Sequence, residues 1–247
     1  MITHASLIMD LDKTILIYSG GMDSTVLLYL LISQGFTVEC LSVDYGQKHK
    51  KELTCAQSIC KKLCVPQKIV NLSSIKDLLS SSSLIDSNKA IPEGHYEEEN
   101  MKTTVVPNRN MILLSLATAQ AIDSKAQTVS YAAHSGDHAI YPDCRESFAK
   151  SMDTAMQLCD WMKISLNRPF VGMSKAEICK LGSKLKVPFK ETWSCYKGNE
   201  KHCGRCGTCI ERREAFHLAG IDDPTSYAEG APSIEQMLES NWKLGEL

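Results

Sequence analysis

From residue 14 onward, short β-rich runs alternate with stretches in which apolar residues recur at helical spacing. Thr14–Tyr18 is predicted as a strand, and Ser24–Ser33 as a helix apolar on nearly every side, hence buried. Phe36–Val43 is predicted as the second strand. In Lys50–Leu63 the residues Leu53, Ala56, Ile59 or Cys60, and Leu63 fall on one helical face. Lys68–Leu72 is a third strand, Met111–Ile122 a long apolar helix and Thr128–Ala133 a further strand. Glu146–Asp160 places Phe148, Met152, Ala155, Met156 and Cys159 at helical spacing. Ser174 and Glu177 form a capping box that opens the next helix. Such alternation predicts an α/β fold with a doubly wound parallel sheet.

One interruption breaks the rhythm. After the serine-rich turn Ser80–Ser83, the stretch Ile85–Thr104 carries Gly94, His95 and the acidic run Glu97–Glu99 with little periodicity. Long aperiodic insertions in compact domains are usually functional or mobile. With little apolar surface to bury, this one is predicted to be a lid. No linker separates independent units, so residues 14–190 are predicted as a nucleotide-binding α/β domain with residues 191–247 packed on it.

Composition narrows the function classes. The chain has 247 residues, 43% hydrophobic and 23% charged, close to globular averages. Its 27 basic and 29 acidic side chains leave a net charge of −2, which excludes a strongly basic nucleic-acid binder. No apolar run reaches the roughly 18–20 residues of a membrane span. Met1–Leu16 has no basic cluster and is interrupted by Asp10, Asp12 and Lys13, so it does not read as a secretory signal. A cytoplasmic enzyme, with no nucleic-acid or membrane partner and forming a homodimer, is the expectation. Of the eleven cysteines, seven are scattered (Cys40, Cys55, Cys60, Cys64, Cys144, Cys159 and Cys179) and read as small apolar residues of a reduced protein.

The first strand runs straight into Ser19-Gly20-Gly21-Met22-Asp23-Ser24-Thr25 and then into a helix. Glycines let the backbone turn and approach a ligand, and the exposed N–H groups of a helix start attract anions. The lysine of a P-loop is missing, which excludes that motif. The remaining cysteines crowd together as Cys195, Cys203, Cys206 and Cys209, with Gly204 and Gly207 between the last three. Four thiolates can close a tetrahedral zinc site, although an iron–sulfur cluster uses the same ligands. A zinc here would be structural, one per chain, because four protein ligands leave no open position for chemistry.

The string Ser-Gly-Gly-x-Asp-Ser after a first strand resembles the pyrophosphate loop of the PP-loop ATP pyrophosphatases. Further stretches narrow the resemblance: Asp44-Tyr-Gly-Gln-Lys-His49, Val106-Pro-Asn-Arg-Asn110, Tyr141-Pro-Asp-Cys-Arg145, Met173-Ser-Lys-Ala-Glu177, Glu191-Thr-Trp-Ser-Cys-Tyr196, Glu211-Arg-Arg-Glu-Ala-Phe216 and Asp223-Pro-Thr-Ser-Tyr227. Together these resemble the 7-cyano-7-deazaguanine synthase family of queuosine precursor biosynthesis, over about Thr14 to Tyr227. Two departures stand out: Asn108 follows Pro107 where the family commonly has glycine, and the turn at His134–Tyr141 is slightly longer.

The resemblance implies a ligase that uses ATP with magnesium to join ammonia to 7-carboxy-7-deazaguanine, through an adenylated carboxylate and then an adenylated amide. It implies ATP contacts at Tyr18, Ser19, Gly20, Gly21, Met22, Asp23, Ser24, Thr25 and Asp44. Asp23, Ser24, Arg109 and Lys175 are the expected catalytic residues, and Gln47, His49, Asp143 and Arg145 the substrate contacts. Residue chemistry leaves plainer roles open: Arg109 and Asn110 open a helix and could simply cap it, whereas a cation at Lys175 opposes its helix dipole and so favours a phosphate-binding job. Two rivals are a tRNA-modifying member of the same superfamily, which should show a basic face, and a zinc-containing nucleic-acid-binding regulator, which should have lost the loop.

Overall fold

In the computed structural model, residues 12–244 are described; residues 1–11, which hold most of the stretch judged not to be a secretory signal, lie outside them. Five parallel strands form one sheet in the order β3-β2-β1-β4-β5, where β1 is Lys13–Ile17, β2 Thr37–Asp44, β3 Gln67–Asn71, β4 Thr128–Ser130 and β5 Ser165–Asn167. The helices are α1 (Met22–Ser33), α2 (Lys51–Leu63), α3 (Arg109–Asp123), α4 (Glu146–Leu158), α5 (Lys175–Lys184), α6 (Gly207–Ala219) and α7 (Ile234–Glu239). The doubly wound sheet expected from the sequence is therefore present.

Side-chain alternation in β1 shows how both faces are covered. Leu16 joins the cluster formed by Val26, Leu27 and Leu31 of α1, Ala56 and Ile59 of α2, Ile178 of α5 and Phe216 of α6. Ile15, one residue back, packs on the opposite face with Leu114 and Ala117 of α3 and Ala149 and Met156 of α4. Period-two alternation sends neighbours to opposite faces, so β1 is apolar at both Ile15 and Leu16, while its buried Thr14 hydroxyl pairs with Ser130 of β4. The strand order reverses between β1 and β4, and a crevice opens at the carboxyl ends there, where open α/β sheets bind ligands. Among the described residues no helix is long and apolar enough to cross a membrane.

Several boundaries differ from expectation for local reasons. β4 stops at Ser130 rather than Ala133, because the chain turns away after the Tyr131 amide donates to Asn167 O. α4 ends at Leu158, with Ala155 and Cys159 exposed. Three-residue β5 and helices α6 and α7 carried no distinct periodic signal. The capping box at Ser174 and Glu177 is formed in full. Asn108 has φ +56°, in the left-handed region that glycine usually supplies and asparagine tolerates. The family departure at this position therefore preserves the backbone.

The stretch Ile85–Thr104, expected to serve as a lid, is strapped to the cysteine-rich segment. Ile85, Met101 and Thr104 are buried, and Glu93 pairs with Arg205 at 2.8 Å and also with Lys197. The amide of Gly94 donates to Arg205 O at 3.1 Å. Composition hid this because the anchors are ion pairs and backbone bonds to the cysteine-rich segment, not an apolar stripe.

Candidate active site and cysteine cluster

The loop after β1 owes its shape to Gly20. Its φ is +82°, and a Cβ there would stand 2.4 Å from Glu52 O and 2.7 Å from Ala56 N, inside any van der Waals contact. The Gly20→Ala variant is accordingly expected to push α2 off the loop and to cost about 2–4 kcal/mol, combining left-handed strain with overpacking. Thermal unfolding measures that loss; an unchanged midpoint would show that the close approach has no energetic weight. Within the loop, the Gly21 amide donates to Ser19 Oγ at 3.2 Å, and Ser19 and Ser24 hydroxyls meet at 3.1 Å.

A cleft of about 240 Å³ opens above this loop. It collects Tyr18, Ser19, Gly21, Met22, Asp23, Ser24, Arg109 and Lys175 of the residues expected in the site. The Lys175 ammonium lies 3.1 Å from Asp23 Oδ2 and 2.7 Å from Glu211 Oε2. Burial alone would lower the Lys175 pKa, but Asp23 and Glu211 override it and hold the lysine charged. Asp23 is likewise pushed up by burial, yet Lys175 and His134 bring it below the usual carboxylate range. Glu211 goes the other way, raised by burial despite the same lysine. One ammonium thus faces two carboxylates of unequal proton affinity.

His134 completes the cluster. Its Nδ1 accepts the Gly136 amide at 3.2 Å, and its Nε2 lies 3.5 Å from the Lys175 ammonium. That Nε2 faces Asp137 at 3.4 Å, Asp23 at 3.8 Å and Glu211 at 3.9 Å. His134, Asp137 and Glu211 lie close enough to share an ion. On the far side of the cleft, Glu52 is raised to about 7 by burial, against the pull of Gln47 and Arg109.

Other expected contacts do not line the cleft. The Thr25 hydroxyl is turned inward and donates to Gly21 O at 2.7 Å. Gly20 supplies the turn beneath the loop. Asp44 pairs with Lys50 at 2.6 Å and accepts the Gly46 amide, closing the turn after β2. Gln47 is buried and donates to Glu52 Oε1 at 3.2 Å, while His49 packs against Gly198. Asp143 accepts the Asn110 amide at 3.1 Å and so caps α3 from outside, and Arg145 Nε donates to His138 O. Asp44, Gln47, Asp143 and Arg145 are thus engaged within the protein, whereas His49 Nε2 is buried without a partner. His134, Asp137, Glu52 and Glu211 were not assigned from the sequence; Glu211 had one available signal, a charge two residues beyond Cys209 on an otherwise inward helical face.

The four cysteines Cys195, Cys203, Cys206 and Cys209 are buried, with all sulfurs within 4.8 Å of one another. Cys203 and Cys209 Sγ stand 3.9 Å apart, against about 3.8 Å for corners of a tetrahedron with 2.3 Å metal–sulfur arms. Amides of Lys197 and Cys203 donate to Cys195 Sγ, and amides of Arg205 and Cys206 to Cys203 Sγ. Such donors favour thiolates over thiols. The space suits one tetrahedral ion, since a cubane cluster would interpose its own atoms and spread the sulfurs wider. His202 is not a ligand: its Nε2 accepts the Ser194 amide at 3.2 Å, and its ring stacks on Trp193.

Strand order, loop and cleft define an α/β protein of the PP-loop class. The fold is shared with a 4-thiouridine synthetase solved as an RNA complex with bound ATP (TM-score 0.50, 17% identity, covering 94% of this chain and 50% of that one). It is shared equally with NMN synthetase from Francisella tularensis (TM-score 0.50, 14% identity, covering 94% and 83%). The family described as queuosine biosynthesis protein QueC matches residues 13–220, and the chain belongs to that family. It is 57% identical over 215 residues to 7-cyano-7-deazaguanine synthase of Methanoregula boonei, covering 87% of this chain and 99% of that protein. It is 50% identical over 218 residues to 7-cyano-7-deazaguanine synthase 2 of Colwellia psychrerythraea, covering 88% and 100%.

Proposed function

We propose that this chain is an ATP-dependent carbon–nitrogen ligase that converts 7-carboxy-7-deazaguanine and ammonia to 7-cyano-7-deazaguanine. Near-full-length similarity to the named synthases supports the substrate assignment. The observation that carries the chemistry is the loop–lysine arrangement, in which Ser19, Gly21 and Ser24 face the same cleft as a Lys175 held charged.

A carboxylate is a poor electrophile because its leaving group would be oxide. Adenylation replaces oxide with AMP, after which ammonia gives the amide; adenylation of the amide oxygen then permits loss of AMP and formation of the nitrile. The protein's work is to position and neutralise charge. Ser19, Ser24 and the N–H groups at the start of α1 hold the departing pyrophosphate, and Lys175 and Arg109 offset phosphate charge. Magnesium entering with ATP would be met by Asp23, whose Oδ1 is buried without a partner, and supplies further neutralisation. Zinc is the ion we assign to the four cysteines, in a structural role. A cytoplasmic homodimer working on small molecules completes the reading, and the balanced charge agrees with the lack of a nucleic-acid partner.

The direct nucleotide products are therefore expected to be AMP and pyrophosphate. Incubation with the carboxylic acid, ammonium and ATP, followed by mass spectrometry, should show the nitrile and both products. ADP with orthophosphate would reject adenylation.

A further inference from the structure

Glu52 stands in the first turn of α2, and its backbone carbonyl is the group on which Gly20 of the loop closes. That contact seats the residue beside the loop, and its side chain lines the cleft together with Tyr45 and Leu53. An acid at a helix start ordinarily sits in solvent, where it complements the dipole. Glu52 instead faces inward, where burial pushes its pKa up to about 7. Dipole complementation alone does not account for a carboxyl kept out of water.

Gln47 fixes how this carboxyl is presented. The Tyr45 amide donates to Gln47 Oε1 at 2.9 Å, which sets the orientation of the side-chain amide. Gln47 Nε2 then donates to Glu52 Oε1 at 3.2 Å. The lysines nearby in sequence are committed elsewhere: Lys48 to Lys89 O, Lys50 to Asp44, and Lys51 to Asn199 O and Glu200 O. Arg109 acts on Glu52 through its charge, without an ion pair among the described residues. An ionised carboxylate offers about four acceptor sites, and Gln47 takes one. What remains is a pair of oxygens side by side, open to the cleft.

Two adjacent N–H donors on one planar edge match such a pair, as a guanidinium fork does. The deazaguanine ring has that edge in N1–H and the 2-amino group. Adenine does not: a lone pair at N1 lies beside its one amino group, so one carboxylate oxygen would meet a lone pair. We propose that Glu52 reads the donor edge of 7-carboxy-7-deazaguanine and so selects the base. The proposal rests on the ligase reading above, and it places the ring on the α2 side of the cleft. Donation by both N–H groups also favours the ionised carboxylate.

Glu52→Gln keeps the shape of the side chain and an oxygen for Gln47, but it turns one acceptor into an amino group that opposes an N–H donor. Turnover per folded molecule is measured with 7-carboxy-7-deazaguanine and with the analogue that lacks its 2-amino group. Wild-type enzyme is expected to favour the amino compound at least roughly tenfold in kcat/KM, the worth of one hydrogen bond to a charged group. In the variant, kcat/KM for the amino compound should fall roughly 10²-fold and the preference should collapse toward one, with KM for ATP unchanged. A preference absent from wild type or left intact by Glu52→Gln overturns the assignment, as does a raised KM for ATP with that for the acid unmoved; wild-type turnover of the acid then still upholds the ligase reading. No AMP from wild-type enzyme given the acid, ammonium and ATP overturns both.

Discussion

Lys175→Met is expected to lower kcat/KM by roughly 10²–10³-fold, the range for removing one donor aimed at developing charge in a closed site. Lys175 is only 10% exposed and touches both Asp23 and Glu211, so the substitution also leaves two carboxylates facing each other without their cation. The sign of the resulting pH dependence can be worked out. In the wild type, Asp23 has a folded pKa below its unfolded value, so its contribution is present above about pH 4 and is lost as pH falls. In the variant both carboxyls are raised, and a raised carboxyl costs stability as pH climbs through its unfolded value. The stability gap between wild type and variant should therefore be widest near neutrality and narrow toward pH 4. Denaturant unfolding at several pH values, beside turnover, measures both effects; a gap that widens on acidification would show that Lys175 does not neutralise these groups.

The other large effect is expected at the cysteine cluster. Cys206→Ser, or a strong chelator, should unfold the segment from Cys195 to Cys209 and take α6 with it. Structural zinc sites contribute about 10–16 kcal/mol in small peptides, comparable with the whole stability of about 5–15 kcal/mol of a domain. Metal analysis together with turnover per folded molecule separates the roles: activity should fall in proportion to folded protein. A folded, metal-bearing variant with no turnover would make the ion catalytic.

The sequence exposed what depends on short-range pattern. Apolar periodicity located α1, α2 and α3, the glycine pair located the loop beneath the cleft, and cysteine spacing located the four-sulfur cluster. What it concealed depends on pairs far apart along the chain. Glu211 becomes a site residue only because α6 packs on α5 and meets Lys175, 36 positions earlier. Asp143 looked like a substrate contact but is spent on the first turn of α3, 33 positions away. The stretch 85–104 looked loose because Glu93 finds Lys197 and Arg205 over a hundred residues later.

Helix α6 begins inside the sulfur cluster, and its first turns carry Cys209, Glu211 and the fully buried Arg212, which bonds Thr192, Ser194, Thr225 and Phe189 O. One residue separates Cys209 of the sulfur cluster from Glu211 of the cleft, so a shift at the cluster reaches the acid as a tilt of one rigid rod. The packing of four sulfurs thereby bears on where a carboxylate of the cleft is aimed. Replacing the four thiols with bulkier apolar side chains would therefore re-aim Glu211 as well as fill the cluster.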